Sequence, residues 1–202
     1  MRTGRILATA LISLLSILLV GCQGLSKDDV AVLETSYGRI VIEFYPDSAP
    51  RTVANFEELA KAGFFDGTKF HRIVGAGPSP IAIQGGDPNT VNGDPSTWGQ
   101  WQPGQKTIPA EFSKTLKHVR GTVSMARKSG DINSATSQFF ICAKPQPQWD
   151  DPKNQYTIFG HVTDGMNVVD TIARAPVIPG TDRPMDPVVV KRAYIAKRSD
   201  IK

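Results

Sequence analysis

The sequence predicts a mainly β fold: a closed antiparallel β-barrel of about eight strands, capped by two α-helices. Apolar and polar residues alternate along most short segments after Val30, which is the period of a half-buried strand. The 202 residues include 18 glycines and 15 prolines, enough to separate many short strands by turns. No strand–helix–strand alternation and no internal repeat occurs, which argues against a parallel sheet and a solenoid. A closed barrel then best protects the strand edges.

A β-hairpin and a helix open the predicted domain. Two alternating segments, 30–35 and 39–44, flank a glycine-containing turn at 36–38, as in a hairpin. Pro50 suits the first turn of the helix that follows, and Gly63 suits its C-terminal end. The apolar face of this helix recurs at helical spacing and consists of Val53, Phe56, Leu59 and Ala60.

The remaining predicted elements are short. Strands are expected at 69–74, 81–84, 121–126, 138–142, 157–162 and 188–195. A second helix fits 166–173, where apolar residues share one face. Two long connections rich in glycine, proline and asparagine, 88–105 and 144–154, join these elements, and loops of that length are often functional.

The N-terminal segment differs in composition from the rest of the chain. Arg2 and Arg5 precede an apolar run at 6–20, which is shorter than the ~20 residues that span a bilayer. The run ends in the sequence LVGC at 19–22. This resembles a bacterial lipobox, where a signal peptidase cleaves before the cysteine and lipid is attached to it. A plain signal peptide or an uncleaved anchor with a chance cysteine is the alternative.

The lipobox interpretation divides the chain into three parts. Residues 1–21 form a lipoprotein signal peptide, 22–29 comprise the lipidated Cys22 and a short linker, and 30–202 form one folded domain. We therefore expect an exported protein that its lipid holds at a membrane of the bacterial cell envelope. Gln23, rather than aspartate, follows the cysteine and favours the outer membrane if the cell has one.

Several kinds of chemistry have no support in the sequence. The net charge of +4 is mild and no segment is rich in lysine or arginine, so no nucleic-acid partner is expected. His71, His118 and His161 lie far apart, and we predict no metal site. Ser124 is not in a G-x-S-x-G motif, and no phosphate-binding loop occurs. The acidic pair at 150–151 is expected to be solvated. An enzyme with this sequence would need no metal, nucleotide or other cofactor, and no covalent nucleophile.

Three predicted strands each place one strong hydrogen-bonding side chain beside an apolar residue. Strand alternation puts three pairs on common faces: Phe70 with Arg72, Ala82 with Gln84, and Gln138 with Phe140. A single arginine or glutamine on a strand most often faces solvent. Three of them in separate apolar strands favour a shared site.

These residues belong to a longer series of motifs. The chain contains, in order, FHR, QGGD, RGTVSMAR, NSATSQFFI, YTIFG and GMNVVDTI. In this order and spacing they resemble the cyclophilin family of peptidyl-prolyl cis/trans isomerases, and the resemblance covers nearly all of 30–195. The family fold, an eight-stranded antiparallel barrel capped by two helices, agrees with the elements predicted above. The resemblance further implies isomerase activity on X–Pro bonds without a cofactor.

The resemblance also implies the roles of individual residues. Arg72 matches the catalytic arginine, and Gln84 matches the glutamine that orients it and contacts the substrate. The substrate-binding positions of the family fall on Ile81, Ala82, Ala126, Arg127, Gln138, Phe140, Trp149, Tyr156 and Phe159. Phe159 would line the far side of the proline pocket, and Trp149 matches the loop tryptophan associated with cyclosporin binding.

The sequence departs from the family pattern near this site. An insert at 75–80 lengthens the chain between Arg72 and Gln84, and Ile81 and Ala82 stand where the family has an aromatic residue and a methionine. The pocket should therefore be less aromatic. Cyclosporin remains an open candidate ligand, since Trp149 favours it and these two replacements weaken the pocket it needs.

Three further departures are informative. Arg127 and Tyr156 stand where many members have asparagine and histidine. The loop after Asp87 is longer than usual and carries Trp98 and Trp101. Either tryptophan could refill the pocket edge or anchor the loop, and we favour anchoring.

Two functional hypotheses follow. The first is an isomerase that accelerates X–Pro isomerisation in proteins and assists folding in the bacterial envelope. The second is a proline-peptide-binding or chaperone module on the same barrel, with weak or no isomerase activity. The retained Arg72, Gln84, Gln138 and Phe140 favour the first. We expect a monomer whose partners are proline-containing polypeptide segments.

Overall fold

The computed structural model describes residues 26, 28–102 and 104–201, and it confirms a mainly β, nearly closed antiparallel barrel. Its strands are β1 (Asp29–Thr35), β2 (Gly38–Phe44), β3 (Lys69–Phe70), β4 (Arg72–Val74), β5 (Ala82–Gly85), β6 (Thr122–Met125), β7 (Phe139–Cys142), β8 (Ile158–Asp164) and β9 (Val188–Lys197). Its helices are α1 (Pro50–Lys61), the short α2 (Asn89–Asn92) and α3 (Met166–Ala173).

One strand predicted from the sequence is two strands in the structure. Within the described residues, the sheet order is β3-β9-β1-β2-β8-β6-β7-β5-β4. The predicted strand at 69–74 breaks at His71, so that β3 pairs with β9 and β4 pairs with β5. The two ends of the sheet are therefore consecutive in the chain, and the chain itself links them across the nearly closed barrel.

A residue far away in sequence caps helix α1. Ala49 precedes the helix and its side chain makes no capping hydrogen bond. The Glu111 carboxylate instead accepts hydrogen bonds from the backbone N–H groups of Arg51 (3.0 Å) and Thr52 (2.9 Å). These bonds satisfy N–H groups that have no partner within a helix, and a negative charge is favourable at this end of the helix dipole.

Helix α3 has the bounds predicted from its apolar period, with Val168, Val169 and Ile172 buried. It begins after Gly165, whose φ of 89° lies in the left-handed region. A Cβ at this position would lie 2.1 Å from the carbonyl oxygen of Arg39. The turn into α3 therefore requires glycine both for its backbone conformation and for space.

The main core lies inside the barrel and is rich in phenylalanine. Phe56 of α1 packs against Phe65, Phe139 and Phe159, with ring centroids 4.8, 5.6 and 5.4 Å away. All four side chains are almost fully buried. Burying one such side chain stabilises a fold by about 1.5–3 kcal/mol, so this cluster fixes α1 on the barrel.

Strands β5, β6 and β7 pack one face against this core, and their opposite face points away from it. Ile83, Ile141 and Val123 are in register across the three strands and belong to the core. Gln84 and Phe140 are also in register, one position further along, and strand alternation turns them to the opposite face. The predicted site residues of these strands therefore lie outside the main core.

The predicted signal peptide at 1–21 and the predicted lipidation of Cys22 lie outside the described residues. In the part of the chain that the structure describes, no helix has the length and apolar character to cross a membrane.

Candidate active site

A chain of side-chain hydrogen bonds crosses three neighbouring segments of the sheet. Arg72 of β4 is paired in register with Gln84 of β5, and its Nη1 lies 3.4 Å from Gln84 Oε1, a long hydrogen bond. Gln84 Nε2 in turn donates to Oε1 of Gln138, at 2.9 Å, just before β7. The structure thus brings together the arginine and the two glutamines that the sequence singled out.

Arg72 has a further partner that the sequence did not reveal. Its Nε and Nη2 both donate to Oδ2 of Asp182, at 3.1 and 3.0 Å. Asp182 lies 110 positions further along the chain, in a turn between α3 and β9 where no periodic pattern marks it. We call Arg72, Gln84, Gln138 and Asp182 the arginine network.

An apolar cluster lies beside this network, since Phe140 is paired in register with Gln84. Phe140 and Ala82 are buried there, and Ile81, Ala126, Trp149 and Tyr156 pack against them. The ring centroids are 4.9 Å apart for Phe140 and Trp149, 5.3 Å for Phe140 and Tyr156, and 5.8 Å for Trp149 and Tyr156. We call Phe140, Trp149 and Tyr156 the aromatic floor.

Arg127 and Ala126 border the aromatic floor. The Arg127 guanidinium carbon lies 4.6 Å from the centroid of the Tyr156 ring, a cation–π contact. Its Nε donates to the carbonyl oxygen of Gln155 at 3.1 Å. The backbone N–H of Ala126 donates to the carbonyl oxygen of Gln138 at 2.9 Å. The residue after the SMA motif is therefore held at the rim of the floor.

A buried imidazole supports the aromatic floor from beneath. His118 stacks on Phe140 with ring centroids 6.0 Å apart, and Ser124 Oγ lies 3.0 Å from its Nε2. Its Nδ1 lies 2.7 Å from Oδ1 of Asp150, which also accepts the His118 backbone N–H at 3.0 Å. The prediction that Asp150 is solvated is therefore wrong, because its carboxylate satisfies two nitrogen atoms of a buried residue.

The His118 imidazole favours its neutral form. Burial lowers its pKa, and the hydrogen bond and charge of Asp150 oppose that shift. Ser124 is fully buried, so the Ser124–His118–Asp150 series has no accessible nucleophile despite its resemblance to a catalytic triad. Burial also raises the pKa of the neighbouring Cys142 thiol to about 12, and this residue stays an unreactive part of the apolar cluster.

The insert at 75–80 does not refill the pocket. Pro78 and Ser79 are exposed, and Lys144 Nζ donates to the carbonyl oxygen and to Oγ of Ser79, both at 2.8 Å. The register of Arg72 with Gln84 is kept in spite of the longer turn.

The two loop tryptophans have different surroundings. Trp98 donates through Nε1 to the carbonyl oxygen of Gly93 at 3.1 Å and lies under Lys69, which agrees with an anchoring role. Trp101 makes a cation–π contact with Lys128, whose Nζ is 3.7 Å from the ring centroid. It also lines a pocket of about 90 Å³ together with Gly99, Ala126, Arg127, Lys128, Ser134, Thr136, Gln84 and Gln138. Trp101 thus lies at the edge of the site, contrary to the anchoring that the sequence favoured.

Two placements expected from the sequence differ in the structure. Phe159 is fully buried in the main core, 5.4 Å from Phe56, and does not join the other site residues. Phe70 and Arg72 were expected to share a face, but Phe70 packs in the core against Phe139 whereas Arg72 is half exposed. Strand alternation fails here because the strand is interrupted at His71.

A nearly closed antiparallel barrel with a few helices is a cyclophilin-like fold, and the arginine network and the aromatic floor form the candidate site on it. The family model described as cyclophilin type peptidyl-prolyl cis-trans isomerase/CLD matches residues 30–195. This chain therefore belongs to the cyclophilin-type peptidyl-prolyl cis-trans isomerase family.

Named relatives and solved structures agree with this assignment. Peptidyl-prolyl cis-trans isomerase-like 1 of Rhizopus delemar is 45% identical over 147 residues, 72% of this chain and 80% of that protein. Isomerase-like 2 of Gibberella zeae is 37% identical over 167 residues, 82% of this chain, and the chain spans only 26% of that longer protein. The crystal structure of a Cryptosporidium parvum cyclophilin has a TM-score of 0.70 and 29% identity, covering 83% of this chain and 99% of that one.

Proposed function

We propose that this chain is a peptidyl-prolyl cis/trans isomerase that acts on proline-containing polypeptide segments. The observation that carries the proposal is the position of Arg72, whose guanidinium is held by side-chain hydrogen bonds beside an apolar surface. This combination offers a fixed hydrogen-bond donor next to a surface that suits a proline ring.

The chemistry requires no covalent step. Amide resonance gives the peptide bond a rotation barrier of about 18–20 kcal/mol, and unaided X–Pro isomerisation takes tens to hundreds of seconds. Resonance is lost in the twisted transition state, where the prolyl nitrogen gains a lone pair. An N–H of Arg72 donated to that lone pair stabilises the transition state more than either planar isomer. A barrier lowered by about 5–6 kcal/mol would accelerate rotation by roughly four decades.

Binding is assigned to the rest of the site. Trp149 and Tyr156, the partly exposed members of the aromatic floor, hold the proline ring, while the side-chain amides of Gln84 and Gln138 bind the flanking peptide groups. With one end held, the carbonyl before the proline can rotate. The Cryptosporidium parvum cyclophilin was crystallised in the presence of the dipeptide Ala-Pro, which supports a ligand of this class.

A binding module with weak or no isomerase activity is the second candidate. The observation in its favour is that Ala82 is fully buried and Ile81 is only partly exposed, so these two positions offer less contact to a proline ring than an aromatic residue and a methionine would. Cyclosporin depends on the same two positions and on Trp149, so its affinity would report how complete the pocket is.

A protease-coupled assay with a proline-containing peptide tests the proposal. We expect catalysis by the wild type and a loss of about 100-fold in kcat/KM for Arg72→Ala, as when one transition-state donor is removed. Arg174→Ala removes an equal charge from an exposed residue outside the site and serves as the control. Wild-type protein that binds the peptide without accelerating isomerisation would instead support the binding module.

We further propose that the protein works in the bacterial envelope as a lipid-anchored folding helper. The support is the sequence LVGC at 19–22 after an apolar run. Metabolic labelling with a radioactive fatty acid should mark the wild type and leave Cys22→Ser unlabelled. Equal labelling of the two proteins, or recovery of the wild type in the soluble cytosolic fraction, would refute the anchor while leaving the isomerase proposal intact.

A further inference from the structure

We propose that Asp182 is a positioning residue of the active site: it holds the Arg72 guanidinium in the orientation that presents donors to the substrate. The inference rests on the proposed isomerase function. Arg72 Nε and Nη2 both donate to one carboxylate oxygen, Asp182 Oδ2, at 3.1 and 3.0 Å. Two bonds to one acceptor fix the plane of the guanidinium as well as its location.

The contact with Asp182 leaves N–H groups of Arg72 available to the substrate. A guanidinium carries five N–H groups. The two bonds to Asp182 use the Nε–H and one Nη2–H, and the long bond to Gln84 uses one Nη1–H. One N–H remains on Nη1 and one on Nη2. Among the residues that the structure describes, only Gln84, through its 3.4 Å bond, would orient the group if Asp182 were absent.

The backbone around Asp182 is itself fixed to the strand that carries Arg72. The carbonyl oxygen of Asp182 accepts the N–H of Ile73 at 2.7 Å, so the 176–185 segment is attached to β4 at Asp182. Within this segment, Ile178 N–H donates to the carbonyl oxygen of Arg183 at 2.9 Å, and a bridge joins Val177 to Pro184. The Asp182 carboxylate therefore extends from a defined backbone position next to Arg72.

Folding stability does not explain the Arg72–Asp182 pair. The two side chains are 48% and 37% exposed, and exposed ion pairs contribute about 0–1 kcal/mol. The backbone hydrogen bond to Ile73 attaches the segment independently of the Asp182 side chain. The remaining consequence of the pair is the orientation of Arg72.

The first experiment compares Asp182→Ala and Asp182→Asn with Asp186→Asn. Asp186 is an exposed acid in the same region, so its substitution removes the same charge away from Arg72. We expect kcat to fall about ten-fold for Asp182→Ala, less for Asp182→Asn, and KM to change less than about two-fold, since orientation matters mainly in the transition state. Asp186→Asn should match the wild type. Arg72→Lys lacks the two guanidinium donors that bind Asp182. In this background, Asp182→Ala should cause no further loss of kcat.

The second experiment does not depend on turnover. The Nε–H of Arg72, assigned in ¹H–¹⁵N spectra by its loss in Arg72→Lys, should be a slowly exchanging resonance in the wild type and in Asp186→Asn. It should shift and exchange rapidly in Asp182→Ala. If the wild type lacks isomerase activity, the proposed function fails and this resonance alone decides whether Asp182 orients Arg72. An unchanged resonance, or equal kcat for Asp182→Ala and Asp186→Asn in an active enzyme, would overturn the inference.

Discussion

The arginine network and the aromatic floor lie side by side but are held by different forces. The network consists of hydrogen bonds that run from the partly exposed Arg72 and Asp182 through Gln84 to the buried Gln138, one of them as long as 3.4 Å. The floor consists of rings 4.9–5.8 Å apart that rest on the buried His118. The floor therefore belongs to the packing of the fold, whereas the network is attached to its surface. Substitutions in the floor should affect both stability and binding, and substitutions in the network should affect the rate.

The largest effect on stability is expected from a substitution in the aromatic floor. Phe140→Ala removes a buried ring that packs with Trp149, Tyr156 and His118. We expect the free energy of unfolding to fall by about 3–5 kcal/mol, as for other buried phenylalanines, and KM for a proline peptide to rise. Urea unfolding followed by circular dichroism measures the first effect. A loss below about 1 kcal/mol would show that the floor is not part of the fold's packing.

The next largest effect on stability is expected from Asp150, which holds His118 beneath the floor. Asp150→Ala leaves the backbone N–H and Nδ1 of His118 without their acceptor, and we expect a loss of about 2 kcal/mol. Asp151→Ala removes the neighbouring exposed carboxylate, which accepts only a local hydrogen bond from Lys153, and is the matched control. Equal unfolding midpoints in urea for the two variants would contradict the supporting role of Asp150.

A change of pH should have a smaller effect on the free energy of unfolding, because it alters the charge of two histidines and removes no side chain from the core. Burial lowers the pKa of both His71 and His118 in the folded protein. Protons therefore bind more strongly to the unfolded chain, where the histidine pKa is about 6.5. The free energy of unfolding should be at its full value above about pH 6.5 and fall as the pH is lowered towards 5. His118→Gln should flatten this dependence when unfolding in urea is measured at several pH values.

The smallest effect on stability should come from the network. Arg72→Ala breaks the exposed pair with Asp182, and we expect the free energy of unfolding to change by less than about 0.5 kcal/mol while activity is lost. A urea titration of the same sample used for the isomerase assay makes the comparison direct. Destabilisation as large as that of Phe140→Ala would erase the distinction between network and floor.

The periodic elements of the fold were predictable from the sequence, and the contacts between distant loops were not. The hairpin and helix α3 follow from strand and helix periods that operate over a few residues. Asp182 at Arg72, Asp150 at His118 and Glu111 at helix α1 come from irregular segments, where no period indicates which way a carboxylate points.

The misplaced site residues have a related cause. Strand alternation from Phe70 to Arg72 assumed an uninterrupted strand, and nothing local marks the break at His71. Phe159 was assigned by resemblance alone, and its aromatic character suits the core as well as a pocket. Gln84, Gln138 and Phe140, which stand in or beside continuous strands, were placed together correctly.

The antiparallel register between β4 and β5 has a practical consequence for the turn that joins them. Arg72 faces Gln84 because of ladder pairing, so the number of residues between Val74 and Ala82 does not set their separation. We therefore expect the turn to tolerate an inserted peptide. A foreign peptide inserted after the exposed Gly77 should leave the arginine and glutamine in place, and the glycine itself should be kept because its φ of 136° strains other residues. A reporter or an affinity handle could thus be carried within reach of the active site without rebuilding it.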